Sequence, residues 1–413
     1  MKKLLTATAL SAACLWSASA LASGYQLNEY SVTNLGRSFA GAGVVGDDYS
    51  AIAYNPAGMT LKKSGLQASF TMAEVAADVR GQSPDSLGKK TDMDFGVPLP
   101  AAFGQYQIND KWFVGGGVYA PYGLATRYKK DSFVADSARK STLEVIDYNL
   151  STAYKLNSQW SFGASFIARY IYGNMTNNIN HPTAGKLGES EFELDGWTYT
   201  GTLGVMYSPS EDTRIGLSYK PKSVQRVKGD HTVTATTPLG LAAAGVYPDG
   251  KASPDLPETI LLSAYHKPFE KTAFTGSVRF TRWGDSFEKF SMTSTATAGK
   301  PSVKYNWKDS WTISAGTEHY LNDNWTLRFG TAWDQSPSRD NRYRTHRIPD
   351  SDRIWISAGL SYRYENMQFD LGYAHLFMKK SFIRESENPA YNDHSSKYEA
   401  YSNMYGLGFQ YNF

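Results

Sequence analysis

From Leu66 to Phe413 the chain alternates apolar with small or polar residues, one by one, in runs of about 10–16 residues. In the last run Tyr401, Tyr405, Leu407, Phe409, Tyr411 and Phe413 share one parity, and Ser402, Gly406, Gly408, Gln410 and Asn412 share the other. Ile354, Ile356, Ala358, Leu360 and Tyr362 likewise oppose Ser357, Gly359, Ser361 and Arg363. Trp160, Phe162, Ala164, Phe166 and Tyr170 oppose Ser161, Gly163, Ser165 and Arg169. A period of two puts successive side chains on opposite faces of a β-strand. A soluble sandwich also alternates, but it has no need of such long strands. A tilted strand crossing a bilayer needs about 9–11 residues.

Fourteen such strands are predicted, at 65–80, 97–108, 111–127, 141–156, 159–175, 196–208, 213–228, 258–267, 271–290, 303–320, 324–335, 352–364, 367–380 and 398–413. Their connections alternate short and long. Asn109-Asp110, Asn157-Ser158, Asn322-Asp323 and Glu365-Asn366 are tight; 81–96, 128–140, 176–195, 229–257, 291–302, 336–351 and 381–397 are long. That asymmetry predicts an all-β, fourteen-stranded antiparallel transmembrane barrel of a bacterial outer membrane, with periplasmic turns and outer loops. Closure is required, because a free strand edge in hydrocarbon leaves backbone groups unsatisfied. Trp112, Trp160, Trp325, Tyr362 and Tyr364 fall near strand ends, as interfacial girdles do. The terminal Phe413 is the expected signal to the barrel-assembly machinery. The surrounding lipid and lipopolysaccharide are expected partners, and the protein is expected to be a monomer.

No run of about 18 apolar residues follows the N-terminus, which excludes a helical membrane protein. The net charge is +3 with no basic block, which argues against nucleic acid. Residues 1–22 read as a secretory signal: Lys2 and Lys3, an apolar stretch, then Ala20-Leu21-Ala22. A lipoprotein signal ending at Cys14, the chain's only cysteine, is the weaker alternative.

Between the signal and the first strand lies GYQLNEYSVTNLGRSFAGAGVVGDDYSAIAYNPAGM, residues 24–59, with neither periodicity sustained. Fourteen strands enclose a bore wide enough to leak. Residues 23–64 are therefore read as a plug in the lumen, with 65–413 as the wall; a plain loop before the first strand is the alternative. Gly36, Gly41 and Gly43 would allow close backbone packing. Asp47 and Asp48 could meet inward arginines. Asn55-Pro56-Ala57 is a turn signal.

The whole chain resembles the FadL-type family of long-chain fatty acid transporters. The resemblance rests on GYQLNEYSVTNLGRSFAGAG at the start of the plug, NPAGM at 55–59, YGLATRY at 122–128, YKLNSQWSFG at 154–163, NDNWTLRFG at 322–330 and IPDSDRIWISAGLSYRY at 348–364. It implies a hatch domain with an Asn55-Pro56-Ala57 motif. It also implies an inward kink in the third strand, at Val118 to Leu124, that opens the wall for lateral exit. Pro121 supports an opening there on its own, since it cannot donate to a strand ladder; Gly123 belongs to the same gate.

A fatty acid needs an apolar groove and a cation for its carboxylate. Parity places Arg169, Arg214, Arg279, Lys308 and Arg328 inward, where partnering plug acids or solvent is the plainer role. The resemblance favours Lys308 at the head group and puts Asn177 where the family has an arginine. Tyr25, Leu27 and Phe39 are expected against the tail, and Leu239, Leu241 and Val246 in an outer groove. Neither HExxH nor GxSxG occurs, and no metal site or cofactor is expected. The expected function is passive uptake of long-chain fatty acids or similar hydrophobic molecules. The alternatives are aromatic hydrocarbons on the same fold, then a general porin.

Overall fold

The computed structural model describes residues 24–84, 86–181, 185–238, 244–296, 302–384 and 394–413. The expected signal segment, Leu239 and Leu241 lie outside the described residues.

Fourteen antiparallel strands form the wall. They are β1 (Gly65–Gly81), β2 (Lys90–Gln107), β3 (Trp112–Arg127), β4 (Lys140–Lys155), β5 (Trp160–His181), β6 (Gly185–Ser210) and β7 (Thr213–Lys220). They continue with β8 (Thr259–Phe269), β9 (Thr272–Thr281), β10 (Ser310–Tyr320), β11 (Trp325–Asp334), β12 (Arg353–Tyr364), β13 (Met367–Met378) and β14 (Ser396–Asn412). Each pairs with the next, and β14 closes the ring on β1 from Gly65↔Asn412 to Gly81↔Ser396. The parity expected from the sequence holds. Along β14, Tyr405, Leu407 and Tyr411 are exposed outward while Ser402, Met404 and Gln410 are buried.

Several strand bounds differ from expectation. β5 and β6 run on as one paired hairpin to His181↔Gly185, so 176–195 is not a loop. Beyond the bilayer neither face meets oil, and the apolar alternation that marks the wall fades there. β7 ends at Lys220, where Pro221 removes the next donor. The expected strand 271–290 stops at Thr281. The loop after β7 is itself strand-built. Val227–Ala235 pairs with β6 from Gly188 to Asp195, and Gly245–Ala252 pairs with Val227–Ala235. Lys289–Thr293 joins at Met292 and Thr293. These strands form an outer sheet above the lumen.

The wall is incomplete at the seam between β2 and β3. β2 and β3 pair only from Gln107↔Phe113 to Ala102↔Val118. Above that, residues 90–101 of β2 pair with β1 alone. β3 instead slips past β4 between Tyr119 and Tyr122, and from Pro121 to Thr126 both of its faces are buried. A strand buried on both faces has left the wall and entered the lumen. The oxygens of Ala102 and Gly104 approach Gly117 and Gly115 of β3, so even-numbered residues of β2 turn their backbone groups toward the seam. Pro98 and Pro100 share that parity. They place two nitrogens without hydrogen on the edge that lacks a partner.

Residues 24–62 pack on the inward face of the ring. Ser31 caps the short helix α1 (Val32–Leu35), accepting from Asn34 N at 3.2 Å. A second short helix, α2 (Ala51–Tyr54), leads into a 3₁₀ turn, Pro56–Leu61. The wall admits α1 through a row of inward glycines in register, Gly359↔Gly372↔Gly406. A Cβ on Gly359 would stand 3.0 Å from Gly36 Cα, and one on Gly372 would stand 3.0 Å from Val32 Cγ1.

Candidate lumen site and wall opening

The chain's first described residues close the seam from inside. Leu27 N donates to Pro121 O at 2.9 Å, and Gly123 N donates to Tyr25 O at 2.8 Å. Gln26 and Tyr122 form an antiparallel bridge between them. Residues 25–27 thus pair with the kinked part of β3. Gly24 makes the turn into this pairing at φ 65° and donates to Asp350 Oδ2 at 3.1 Å. Asp350 in turn pairs with Arg353 at 2.5 Å. Tyr25 sits in an aromatic box, with ring centroids 4.8 Å from Trp283, 5.5 Å from Phe287 and 6.1 Å from Tyr122.

Above Tyr25 lies an apolar cavity. Leu124, Leu143 and Ile171 form its wall side, and Phe192, Leu194 and Met292 of the outer sheet form its roof. Among the described residues Arg347 is the one charged residue lining it. Its guanidinium donates to Ser141 Oγ at 3.1 Å, Lys140 O at 3.3 Å and Asn177 Oδ1 at 3.4 Å. Among the described residues no carboxylate pairs with it. An apolar chamber with one buried cation suits an amphiphile with an anionic head. Asn177, the expected site of a missing arginine, helps hold Arg347 there.

The other sequence candidates are placed as follows. Lys308 is not on a wall strand. Asn306 at φ 46° breaks the expected strand 303–320, and residues 305–309 leave the ladder. Trp307 turns inward against Tyr25, while Lys308 stays half-buried with its amide on Pro337 O. Lys308 does not line the cavity. Arg169 is paired with Asp147 at 2.6 and 2.8 Å. Arg214 donates to Val45 O at 2.8 Å and lies over Tyr265. Phe39 packs edge-on to Trp355, and Leu27 is buried in the same core; neither lines the apolar cavity. Val246 points outward on its strand, 62% exposed.

Asp47 meets arginines and Asp48 does not. Asp47 pairs with Arg37 at 2.7 Å and Arg328 at 3.1 Å, and Glu318 joins both arginines. This buried quartet ties the inner segment to β10 and β11. Asp48 instead accepts from hydroxyls of Ser31, Thr33 and Ser50. Asn55 Oδ1 accepts from Ala57 N at 3.1 Å, capping the 3₁₀ turn that Pro56 begins, and Asn55 Nδ2 donates to Val205 O at 3.2 Å. Gly163, Gly204 and Gly216 of the wall leave room for Asn55 and Pro56.

Sequence reasoning missed three parts of the site. Arg347 lies in an aperiodic loop that carries no signal. Glu318 was not singled out. Pro98 and Pro100 could have been found, because two prolines inside an alternating run mark an unpaired edge.

A family model described as outer membrane protein transport protein (OMPP1/FadL/TodX) matches residues 13–413. The chain is 28% identical to a long-chain fatty acid transport protein of Escherichia coli O6:H1, covering 100% of this chain and 99% of that protein. It is 31% identical to a 47 kDa outer membrane protein of Pasteurella multocida, covering 98% and 97%. Among solved structures, a Pseudomonas aeruginosa FadL homologue superposes with a TM-score of 0.83 at 22% identity, covering 94% of this chain and all of that one. The Pseudomonas putida toluene transporter TodX gives 0.73 at 18% identity, with coverage of 94% and 100%.

Proposed function

Because the chain belongs to the OMPP1/FadL/TodX family of outer membrane transport proteins, which are transporters and not enzymes, we propose that it carries long-chain fatty acids passively into the cell. The observation that carries this reading is Arg347, a cation without a carboxylate partner among the described residues, at the edge of an otherwise apolar chamber. A carboxylate there would gain charge-assisted hydrogen bonds, and the tail would fill the space toward Leu194 and Met292.

Ligand enters from the outer sheet, rests against Arg347, and leaves sideways through the β2–β3 seam into the membrane. The segment ahead of Gly65 acts as the hatch, and Gly24–Leu27 is its moving part. Within it Tyr25 floors the cavity, and Tyr25 and Leu27 hold β3 at Gly123 and Pro121, so one displacement opens the path and the exit. The quartet around Arg37 supports a hatch body that stays in place. Its salt bridges join two elements at depth, and extracting them would strand buried charges.

The protein works as a monomer. Phe413, 65% exposed and anchored by its amide to Ser64 O, is presented to the assembly machinery. Arg80, flanked in register by Lys90 and Lys397, offers a cationic row to lipopolysaccharide phosphates.

The test is oleate binding and uptake by Arg347→Gln against oleyl alcohol and toluene as uncharged competitors. Selective loss of oleate supports the reading. Unchanged oleate affinity, or displacement by toluene at equal concentration in the natural protein, would favour a carrier of neutral hydrocarbons.

A further inference from the structure

A second cavity adjoins the segment at Gln26. Gln26, Thr202, Ser218, Lys220, Thr259 and Arg279 line it, together with Tyr30 and Tyr54. Its lining mixes polar with apolar groups, where that of the first is almost wholly apolar. Gln26 follows Tyr25, so the two cavities are separated by the segment that closes the seam. On the far side Tyr30 packs at a tilt against Tyr119 at 4.7 Å, and Tyr119 likewise against Phe103 at 5.8 Å. Phe103 and Tyr119 stand where the β2–β3 pairing stops. Tyr30 thus lines the second cavity and touches, through Tyr119, the residues at the wall opening.

The charges around it do not balance. Arg279 is 8% exposed, and its one hydrogen-bond partner among the described residues is the amide oxygen of Asn28. Lys220 Nζ is 3.9 Å from Asp147, whose two oxygens are already taken by Arg169. The next carboxyl, Glu29, meets neither cation in a salt bridge, and burial pushes it up to about 7. Asp334 beyond it is paired with Arg353. Among the described residues Arg169, Lys220 and Arg279 thus have Asp147 as their one salt-bridge carboxylate, and Arg279 does not reach it. Buried charge in excess of its partners is costly until an anion joins it. Thr202 Oγ1, on a residue 3% exposed, also lines this cavity with no hydrogen-bond partner.

We propose that Arg279 and Lys220 form a second head-group station for an anionic amphiphile, reached after Arg347 and before the seam. This rests on the fatty-acid reading and adds a step to it. The carboxylate accepts from the Arg279 guanidinium, the Lys220 ammonium and the Thr202 hydroxyl. The head group then exchanges one cation for another and is never left bare in the lumen. The chain meanwhile reaches Tyr30, Tyr119 and Phe103 at the opening.

The experiment uses the full protein in detergent with carboxyl-labelled [1-13C]oleate, read by NMR. Two bound carboxyl signals are expected. Arg279→Gln should remove one and keep the other, and Arg347→Gln should do the reverse. In cells Arg279→Gln should slow oleate uptake at least tenfold relative to oleyl alcohol. Heat-dependent gel mobility reports whether the barrel has folded; should Arg279→Gln not fold, Lys220→Met carries the same expectations. A single carboxyl signal that only Arg347→Gln abolishes overturns the second station and leaves the transport reading intact. Equal slowing of oleate and oleyl alcohol overturns it as well. Absence of any bound signal in the natural protein sinks both.

Discussion

Leu27 donates its backbone amide to the carbonyl of Pro121 at 2.9 Å, joining the inner segment to the one wall strand that turns into the lumen. The bond is paired with Gly123 N on Tyr25 O at 2.8 Å, so the contact is a short β-ladder and not a stray touch. On the proposed lateral route this ladder is the hinge.

Locking that ladder should stop transport. Gln26 and Tyr122 face each other in an antiparallel bridge, a spacing within reach of a disulfide. Gln26→Cys with Tyr122→Cys, oxidised, should cut oleate uptake at least tenfold, and reductant should restore it. Full uptake by a protein shown to be cross-linked would show that these residues need not part.

Arg347→Gln should weaken oleate binding by roughly ten- to a hundredfold. That corresponds to about 1.5–3 kcal/mol for hydrogen bonds to a charged group. Affinity for oleyl alcohol should change little. Titration of the purified protein with both ligands gives the comparison directly.

The buried quartet predicts an asymmetric response to mutation. Glu318→Gln leaves Arg37 and Arg328 sharing Asp47 alone, and breaking a buried pair on one side costs about 3–5 kcal/mol. Thermal unfolding should fall clearly. Combining Glu318→Gln with Arg328→Met, which removes a charge of each sign, should recover part of the loss. A double variant no more stable than Glu318→Gln would mean the network acts by shape and not by charge.

Glycine in the wall should hold the inner segment in position. A Cβ on Gly330 would fall 2.1 Å from the backbone carbonyl carbon of Arg37. Gly330→Ala should therefore displace the segment and raise conductance in planar bilayers severalfold. Silent bilayers together with unchanged thermal stability would contradict this.

Glu29 belongs to the inner segment, and burial raises it from 4.5 to about 7. Folding thus favours its protonated form. The stability linked to it is full below about pH 4.5 and is lost as pH rises through about 7. After correction for intrinsic rates, amides near α1 should exchange faster at pH 8 than at pH 5.5. Glu29→Gln should flatten that difference.

The wall was legible because oil imposes a rule on every outward residue, and the rule has period two. Ile354, Ile356 and Phe409 obey it, and all are exposed on the outer face. Where the oil ends the rule ends, which is why the paired stretch from Thr176 to Asp195 read as a loop. Lys308 was misassigned by extending strand parity into residues 305–309, which leave the ladder at the turn made by Asn306. The cavity was legible only in part. Tyr25 stood out by its place, but Arg347 reaches the chamber from a loop, through pairings that no local pattern encodes. The charge quartet joins residues some 280 positions apart, such as Arg37 and Glu318, and only the closed ring brings them together.

The unzipped seam has a cost that works in the cell's favour. With Gly24 to Leu27 in place, the inturned stretch of β3 has a surrogate neighbour, and two prolines on β2 blunt the facing edge. Once that surrogate moves away, bare amides and carbonyls face hydrocarbon, each worth several kcal/mol. The doorway is therefore sprung shut. On the lateral route proposed above, it would stay ajar only while a greasy molecule occupies it, and the outer membrane would keep its seal between passengers.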